Sequence, residues 1–444
     1  MKKLERRAVL VLLLTVFLLS GTALFVFRYV RNGSKWATFY ANASIYSNGY
    51  LKVGTIYDRN GVLLAENGAG ENGAPKYNDD KEIRLATAHV VGDSKGNVST
   101  SAENKLADQV IGYDLLNGTY SITNSSHKMR LSIDSEANRA AYRALGSRNG
   151  FAAVYNYETG EIICLVSKPT FDPEDPPDVS SASSGTYMNK VLSGRFVPGS
   201  TFKLITSAAA IETLDDLDNF TFNCTGAYYV NGEKITCTHA HGHEDFESAL
   251  ANSCNGAFGK IAIRVGAANM KAYTEKCGLT HVYNIDGINN VKGSFDFPSN
   301  ADLNLGWAGI GQWKDLVNPL SMLVYMGAIA GDGKAAEPHL LHSSVRPSSK
   351  TSRMIESSTA EELQKLMKNN VTSTYGASNY PGLDIYAKSG TAEVGDGTNN
   401  AWFVGFIKNT DAPYAFVVCV ENGSSGSVTA GPVARAVLDE LVGE

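Results

Sequence analysis

The chain has 444 residues, 43% hydrophobic and 19% charged, with a formal net charge of −6. That length exceeds one small domain, and the apolar fraction can fill a sizeable core. The acidic balance, with no basic stripe of interleaved aromatics, excludes a nucleic-acid surface, and six cysteines are too few for a disulfide scaffold.

In chain order the first element is Ala8 to Phe27, which has no charged residue and is mostly Leu, Val, Phe and Ala. About 20 such residues span a bilayer as a helix. Lys2, Lys3, Arg6 and Arg7 precede it, and Arg28, Arg31 and Lys35 follow. The slight positive-inside bias puts residues 1–7 inside and the bulk of the chain outside. Residues 8–28 are therefore read as a single-span anchor, longer than the apolar core of a cleaved signal peptide.

Residues 29–147 read as an irregular N-terminal pedestal. Thr55 to Ala65 looks like a hairpin turning at Asn60-Gly61. Gly68 to Glu82 is polar and reads as loop, Arg84 to Gly92 follows, and Ala102 to Leu116 has a helical pattern. Nothing there has catalytic or metal-site spacing, so the unit is expected to dock or support.

Residues 148–444 have a different texture. Phe151 to Tyr157 and Glu161 to Ser167 read as strands around a Thr159-Gly160 turn. A loop rich in Pro and Ser runs from Pro169 to Gly185, and helices are expected to dominate from Ser200 to about Ala330. Strands return at Ile385 to Thr391, Ala401 to Ile407 and Tyr414 to Val420, linked by turns at 395–397 and 409–413, before a closing helix at Pro432 to Leu441. Strands at both ends around a helical insert predict an α+β fold: one antiparallel sheet with helices packed on it.

Three short motifs lie in this half. Ser200 follows the Pro198-Gly199 turn at the mouth of a helical pattern, with Lys203 one turn further on. A serine hydroxyl needs a base to become a nucleophile, and a lysine is that base when burial and a second cation lower its pKa. Ser253 and Asn255 can point one way from an irregular turn, where a hydroxyl can relay a proton and an amide can hold a peptide carbonyl; a helix cap would use the same residues. Lys388-Ser389-Gly390-Thr391 lies on an expected strand. Gly390 lets a backbone lie against that strand, Lys388 adds a cation, and Ser389 and Thr391 offer hydroxyls to a carboxylate. An edge-strand lysine that blocks aggregation is the plainer reading of Lys388.

Each motif alone is weak. Together, S-x-x-K, S-x-N and K-[ST]-G in that order form the set shared by penicillin-binding proteins and class A β-lactamases. The chain resembles the class B, monofunctional penicillin-binding transpeptidases over nearly its whole length. Ile56 to Ala65 is similar to that family's first N-terminal box. Leu131 to Asp134, Thr159 to Ile162 and Lys168 to Pro173 are similar to the entry of its catalytic domain. Trp307 to Gln312 resembles a loop near its site, and Ala401 to Phe406 the strand after the third motif. Two departures are Ser389, where Thr is commoner, and Trp313, where Gly is usual. No segment resembles a glycosyltransferase.

The resemblance implies a penicillin-binding, serine β-lactamase-like fold, with a five-stranded antiparallel sheet, helices on both faces and a helical subdomain. It implies acyl transfer in a bacterial plasma-membrane protein with its catalytic domain outside. Ser200 would attack the penultimate D-alanine of a peptidoglycan stem peptide, with Lys203 as base. Ser253 and Lys388 would protonate the departing D-alanine, and the backbone N–H groups of Ser200 and Thr391 would form the oxyanion hole. Asn255 would orient the peptide, Ser389 and Thr391 would hold its carboxylate beside Gly390, and a β-lactam would be trapped on Ser200. The implied partner is an integral-membrane peptidoglycan glycosyltransferase, touching the span near Thr15, Ser20, Gly21 and Ala23. A D,D-carboxypeptidase, a β-lactamase-like hydrolase and a non-enzymatic β-lactam sensor or scaffold are the competing readings. A class A β-lactamase needs a deacylating glutamate, and none stands out after Ser253.

The cysteines are read separately. Cys164, Cys254, Cys277 and Cys419 are expected to be small buried side chains. Cys224 and Cys237 flank Thr225 to Thr236, with a turn at Asn231-Gly232, and outside the membrane they can be oxidised. Cys237-Thr-His-Ala-His-Gly-His243 holds zinc-ligating residue types, but in no common zinc-site spacing. The resembled family has a comparable segment without a metal, so no metal or organic cofactor is expected.

Overall fold

The computed structural model describes residues 2–443, apart from 40, 41, 44, 49, 117, 119–127, 344–347 and 396. Asp396, in the expected turn at 395–397, thus lies outside the described residues.

Helix α1 runs Lys2–Ala37, and its most apolar window has a mean hydropathy of 2.7 with no residue buried. A 36-residue helix is about 54 Å long at 1.5 Å per residue, so it is long and apolar enough to cross a bilayer.

A small sheet follows. It contains β1 (Thr55–Tyr57), β2 (Leu63–Glu66), β3 (Lys76–Tyr77) and, after helix α2 (Lys81–Val91), β4 (Lys128–Arg130). The strand order is β3-β2-β1-β4, with β1 and β4 parallel. The expected hairpin pairs Ile56 with Ala65, and Gly61 takes the left-handed conformation at φ +87°. The stretch from Gly68 to Glu82 is not all loop: it contains β3 and the start of α2, whose first turn is capped by the Asp80 side chain on the Glu82 N–H. The expected helix over Ala102 to Leu116 is two single turns, Ala102–Lys105 and Ala107–Val110. They break where buried Leu106 sits at φ −112°, ψ 23°.

Helix α3 (Ser135–Leu145) leads into the main sheet. Its strands are β5 (Gly150–Asn156), β6 (Ile162–Lys168) and, much later, three more. Between them come α4 (Lys203–Thr213), β7 (Phe222–Cys224), β8 (Ala227–Val230), β9 (Glu233–Thr236), β10 (Gly242–Glu244), α5 (Phe246–Ala251), α6 (Asn255–Val265), α7 (Asp302–Ala308), α8 (Pro319–Ala330) and α9 (Ser357–Asn370). The insert is thus less purely helical than its pattern suggests. The pairs β8–β9 and β7–β10 are short antiparallel ribbons, and β8–β9 turns at Asn231 and Gly232, both at positive φ. An Asn-Gly turn of that kind matches strand twist and specifies a tight hairpin.

The late strands are β11 (Ile385–Val394), β12 (Thr398–Ile407) and β13 (Tyr414–Val420), followed by α10 (Gly431–Val442). The five-stranded order is β11-β12-β13-β5-β6, antiparallel throughout. The strands are apolar on both faces because both are covered. Phe403, Phe416, Val154 and Val418 pack with α3 and α10, while Trp402, Val404, Val417 and Phe151 join the core of α4 and α8. The period-2 alternation sorts neighbouring residues into these two cores.

Asp58, just after β1, is fully buried and ties the hairpin to α3. Its carboxylate accepts from the N–H groups of Asn60 and Val62, both at 2.8 Å, and from the Ser135 hydroxyl at 2.7 Å. Replacing Asp58 with Ala strands these donors, and each unsatisfied buried donor costs about 1–3 kcal/mol. We expect Asp58→Ala to lower the unfolding free energy by at least about 2 kcal/mol in denaturant titration. An unchanged midpoint would show that the hairpin does not depend on this carboxylate.

Candidate active site

Ser200 lies in a single 3₁₀ turn, Gly199–Phe202, which runs directly into α4. The turn exists because Gly199 takes φ +53° and has no side chain. A Cβ there would lie 2.7 Å from the Thr391 carbonyl and 3.0 Å from the Ala392 Cα. The turn is thus pressed against β11, and the Gly199 N–H donates to the Gly311 carbonyl at 2.9 Å. Gly390 is close-packed from the other side, since a Cβ on it would come within 2.9 Å of the Thr201 side chain. Its lack of a side chain therefore lets β11 close on the serine turn. The sequence had suggested a different reason, a ligand lying flat on the strand.

Lys203 is fully buried. Its ammonium group donates to the Ser253 carbonyl at 2.6 Å, the Asn255 side-chain oxygen at 2.8 Å and the Ser253 hydroxyl at 3.1 Å. Lys388, also fully buried, reaches the same hydroxyl at 3.0 Å and the Ser389 carbonyl at 3.0 Å. Both nitrogens touch one oxygen, so they lie at most about 6 Å apart. Two charges at that separation repel by about 3 kcal/mol at an effective dielectric of 20, worth roughly two pH units. Burial pushes the Lys203 pKa down to about 7. Burial, with Lys203 beside it, holds Lys388 well below the usual lysine range. The site thus contains an amine that is substantially neutral near neutral pH, the state a base requires.

Ser253 sits between α5 and α6 at φ +55°, a conformation that costs a non-glycine residue about 1–3 kcal/mol. The plainer reading of Ser253 and Asn255 as caps does not hold. Cys254 caps α6, through its sulfur and the Ala257 N–H, and Asp245 caps α5. The Asn255 amide is held by a bond to the Thr236 carbonyl at 2.9 Å. Lys388 is likewise no edge guard, because β11 is an edge strand but Lys388 points inward.

Ser253 and Asn255 line a cleft of about 480 Å³ together with Ser200, Ser389, Gly390, Thr391, Trp307 and Gln312. Trp313, beside it, keeps φ +68°, a backbone conformation that favours glycine. One residue that supports the cleft from behind was illegible in the sequence. The buried Tyr375 hydroxyl accepts from the Ser389 N–H at 2.9 Å and lies 3.1 Å from the Ser389 hydroxyl. Tyr375 follows a long helix with no motif around it, so no local pattern marks it.

The fold and this cleft define a class: a serine acyl-transfer enzyme scaffold with two buried lysines. A model of the penicillin binding protein transpeptidase domain matches residues 150–439. The chain belongs to that family. It is 27% identical over 386 residues to the peptidoglycan D,D-transpeptidase PbpA of Mycolicibacterium smegmatis, covering 75% of this chain and 74% of that protein. It is 28% identical over 336 residues to PbpA of Mycobacterium tuberculosis, covering 66% and 67%. Penicillin-binding protein A from M. tuberculosis, solved as a ceftriaxone acyl-enzyme complex, superposes with a TM-score of 0.78 at 23% identity over 87% of this chain and 97% of that one.

Tyr375→Phe leaves the Ser389 N–H without its partner. We expect it to cost about 1–3 kcal/mol in thermal or chemical unfolding and to slow covalent β-lactam labelling. Labelling and stability both equal to wild type would remove Tyr375 from the site.

Proposed function

We propose that this chain is a membrane-anchored serine D,D-transpeptidase that cross-links peptidoglycan stem peptides through an acyl-enzyme. The observation that carries the reading is the Ser253 hydroxyl, held within hydrogen-bond reach of two buried lysines, of which Lys203 lies one turn from Ser200 and Lys388 on β11. In this reading Ser200 Oγ attacks the carbonyl of the penultimate D-alanine. Lys203, as the neutral amine, takes the serine proton. The backbone N–H groups of Ser200 and Thr391 stabilise the oxyanion, each worth about 3 kcal/mol. The C–N bond then breaks, and a proton passes from Lys203 through Ser253 to the departing D-alanine amine, with Lys388 supplying the second positive charge. Asn255 orients the peptide. The Ser389 and Thr391 hydroxyls take the terminal carboxylate, with Ser389 held in place by its hydrogen bonds to the Tyr375 hydroxyl. A second stem peptide's amine completes the transfer, and a β-lactam is held at the acyl stage.

Residues 148–444 would be the transpeptidase unit and 29–147 its pedestal, with residues 8–28 in the bilayer and the short tail inside. A transpeptidase of this kind joins strands that another enzyme polymerises, so the partner would be an integral-membrane peptidoglycan glycosyltransferase. Helices in lipid associate through close packing of small and polar residues. The small or polar positions of α1 are Thr15, Ser20, Gly21 and Ala23, and Ser20 and Ala23 lie three residues apart with Gly21 beside them, so the contact is placed there.

Mass spectrometry after incubation with a β-lactam tests the chemistry. We expect one adduct per chain on Ser200, none on folded Ser200→Ala, and a 10²–10⁴-fold slower acylation in Lys203→Ala, with Lys388→Ala the milder change. An adduct on Ser200→Ala sinks the nucleophile, and a milder Lys203→Ala reverses the lysine roles.

A further inference from the structure

The cysteines sort differently in space than in sequence. Cys224 at the end of β7, Cys237 just after β9, His241 just before β10 and Cys254 at the cap of α6 converge, with one potential ligand atom from each within 4.8 Å of all the others. Cys224 Sγ lies 3.3 Å from His241 Nδ1, and Cys237 Sγ lies 3.8 Å from Cys254 Sγ. Zinc–sulfur bonds of about 2.3 Å at tetrahedral angles put neighbouring sulfurs about 3.8 Å apart, and a sulfur and an imidazole nitrogen about 3.5 Å apart. The two observed edges are close to those spacings.

Three further observations point the same way. The Gly256 N–H donates to Cys237 Sγ at 3.1 Å, and the Ala257 N–H to Cys254 Sγ at 3.5 Å. Such outer-shell donors hold ligating sulfurs in place and share their charge. The sulfurs are unbonded to one another, and three of them cannot all pair as disulfides within the cluster. Plain apolar packing gives no reason for a half-buried imidazole to face three thiols. Of the segment Cys237 to His243, only Cys237 and His241 join the cluster. The other two residues come from 13 residues before Cys237 and 17 after it, which is why the linear spacing resembled no zinc site.

We propose that Cys224, Cys237, His241 and Cys254 form a closed, structural zinc site that clips the β7–β10 and β8–β9 ribbons to the Ser253–Asn255 turn. Sulfur and imidazole in a tetrahedral set suit zinc, which has no redox chemistry of its own. The thiols lose their protons to solvent on binding. Four protein ligands leave no open position, so the ion is structural. Its reach into the cleft is short. Cys254 separates Ser253 from Asn255, and Thr236, beside Cys237, holds the Asn255 amide. The ion would thus act as a positioning element for the turn that holds Lys203. The metal site stands independently of the acyl-transfer reading.

The test uses the full-length protein, purified reduced, stripped with a chelator and reloaded with zinc alone. We expect one zinc per chain by elemental mass spectrometry, a melting temperature that falls on stripping and recovers on reloading, and thiolate-to-metal absorption when cobalt replaces zinc. Cys224→Ser and His241→Gln should each bind zinc at least about tenfold more weakly. No bound zinc at micromolar free metal, zinc retained undiminished by both variants, or a Cys237–Cys254 disulfide in the isolated protein would each overturn the site. Covalent β-lactam labelling, followed in the same samples, separates the two proposals: a protein that takes up no zinc on reloading yet labels normally refutes the metal alone.

Discussion

The site depends on keeping two lysine ammonium groups out of water around one serine hydroxyl. Lys203 and Lys388 are fully buried, and both reach Ser253 Oγ. Burial of a lone ammonium group costs several kcal/mol after relaxation. The chain offsets that cost in two ways. It supplies three oxygen acceptors to Lys203, and it lets the pair share less than two full charges. The same arrangement that makes the amines expensive to bury makes one of them basic at neutral pH.

The fold around this point serves to hold it. Two segments far apart in sequence must meet without side chains between them, and Gly199 and Gly390 allow it. Gly311 does the same behind the serine turn, where a Cβ would lie 2.1 Å from the Gly199 carbonyl. The five-stranded sheet also reaches the serine turn through Trp402 on β12, whose indole N–H donates to the Val197 carbonyl at 3.0 Å. One core strand thus anchors the loop that leads into the nucleophile. On the opposite side, α5 and α6 deliver Ser253 in a strained backbone conformation that their caps hold in place. The proposed zinc ion would add a covalent tie at this same turn.

Much of this was readable from local pattern. The three motifs name the residues that converge, since each carries its chemistry in a four-residue window. The strands at both chain ends are apolar runs bounded by turn residues, and they appear within a few residues of their expected limits. The apolar span reads directly from composition. What was not readable is whatever depends on distant partners. Tyr375 supports Ser389 from a segment with no motif. Cys224 and Cys254 meet Cys237 only after the ribbons form, so a scan along the chain sees one cysteine and a histidine run. The β7–β10 insert looked helical because its strands are three or four residues long, too short for alternation to show. The reason for Gly390 also came only from structure, because sequence cannot tell a glycine that admits a ligand from one that admits another backbone.

The central claim is that burial makes Lys203 a base at neutral pH. It is tested most directly by NMR titration of the Lys203 side chain, with ¹³C-labelled lysine and the resonance assigned by its loss in a Lys203→Arg variant. The account predicts a titration midpoint near pH 7 in the folded protein. A midpoint at the ordinary lysine value, near 10.4, would contradict it and leave Ser200 without its proposed base.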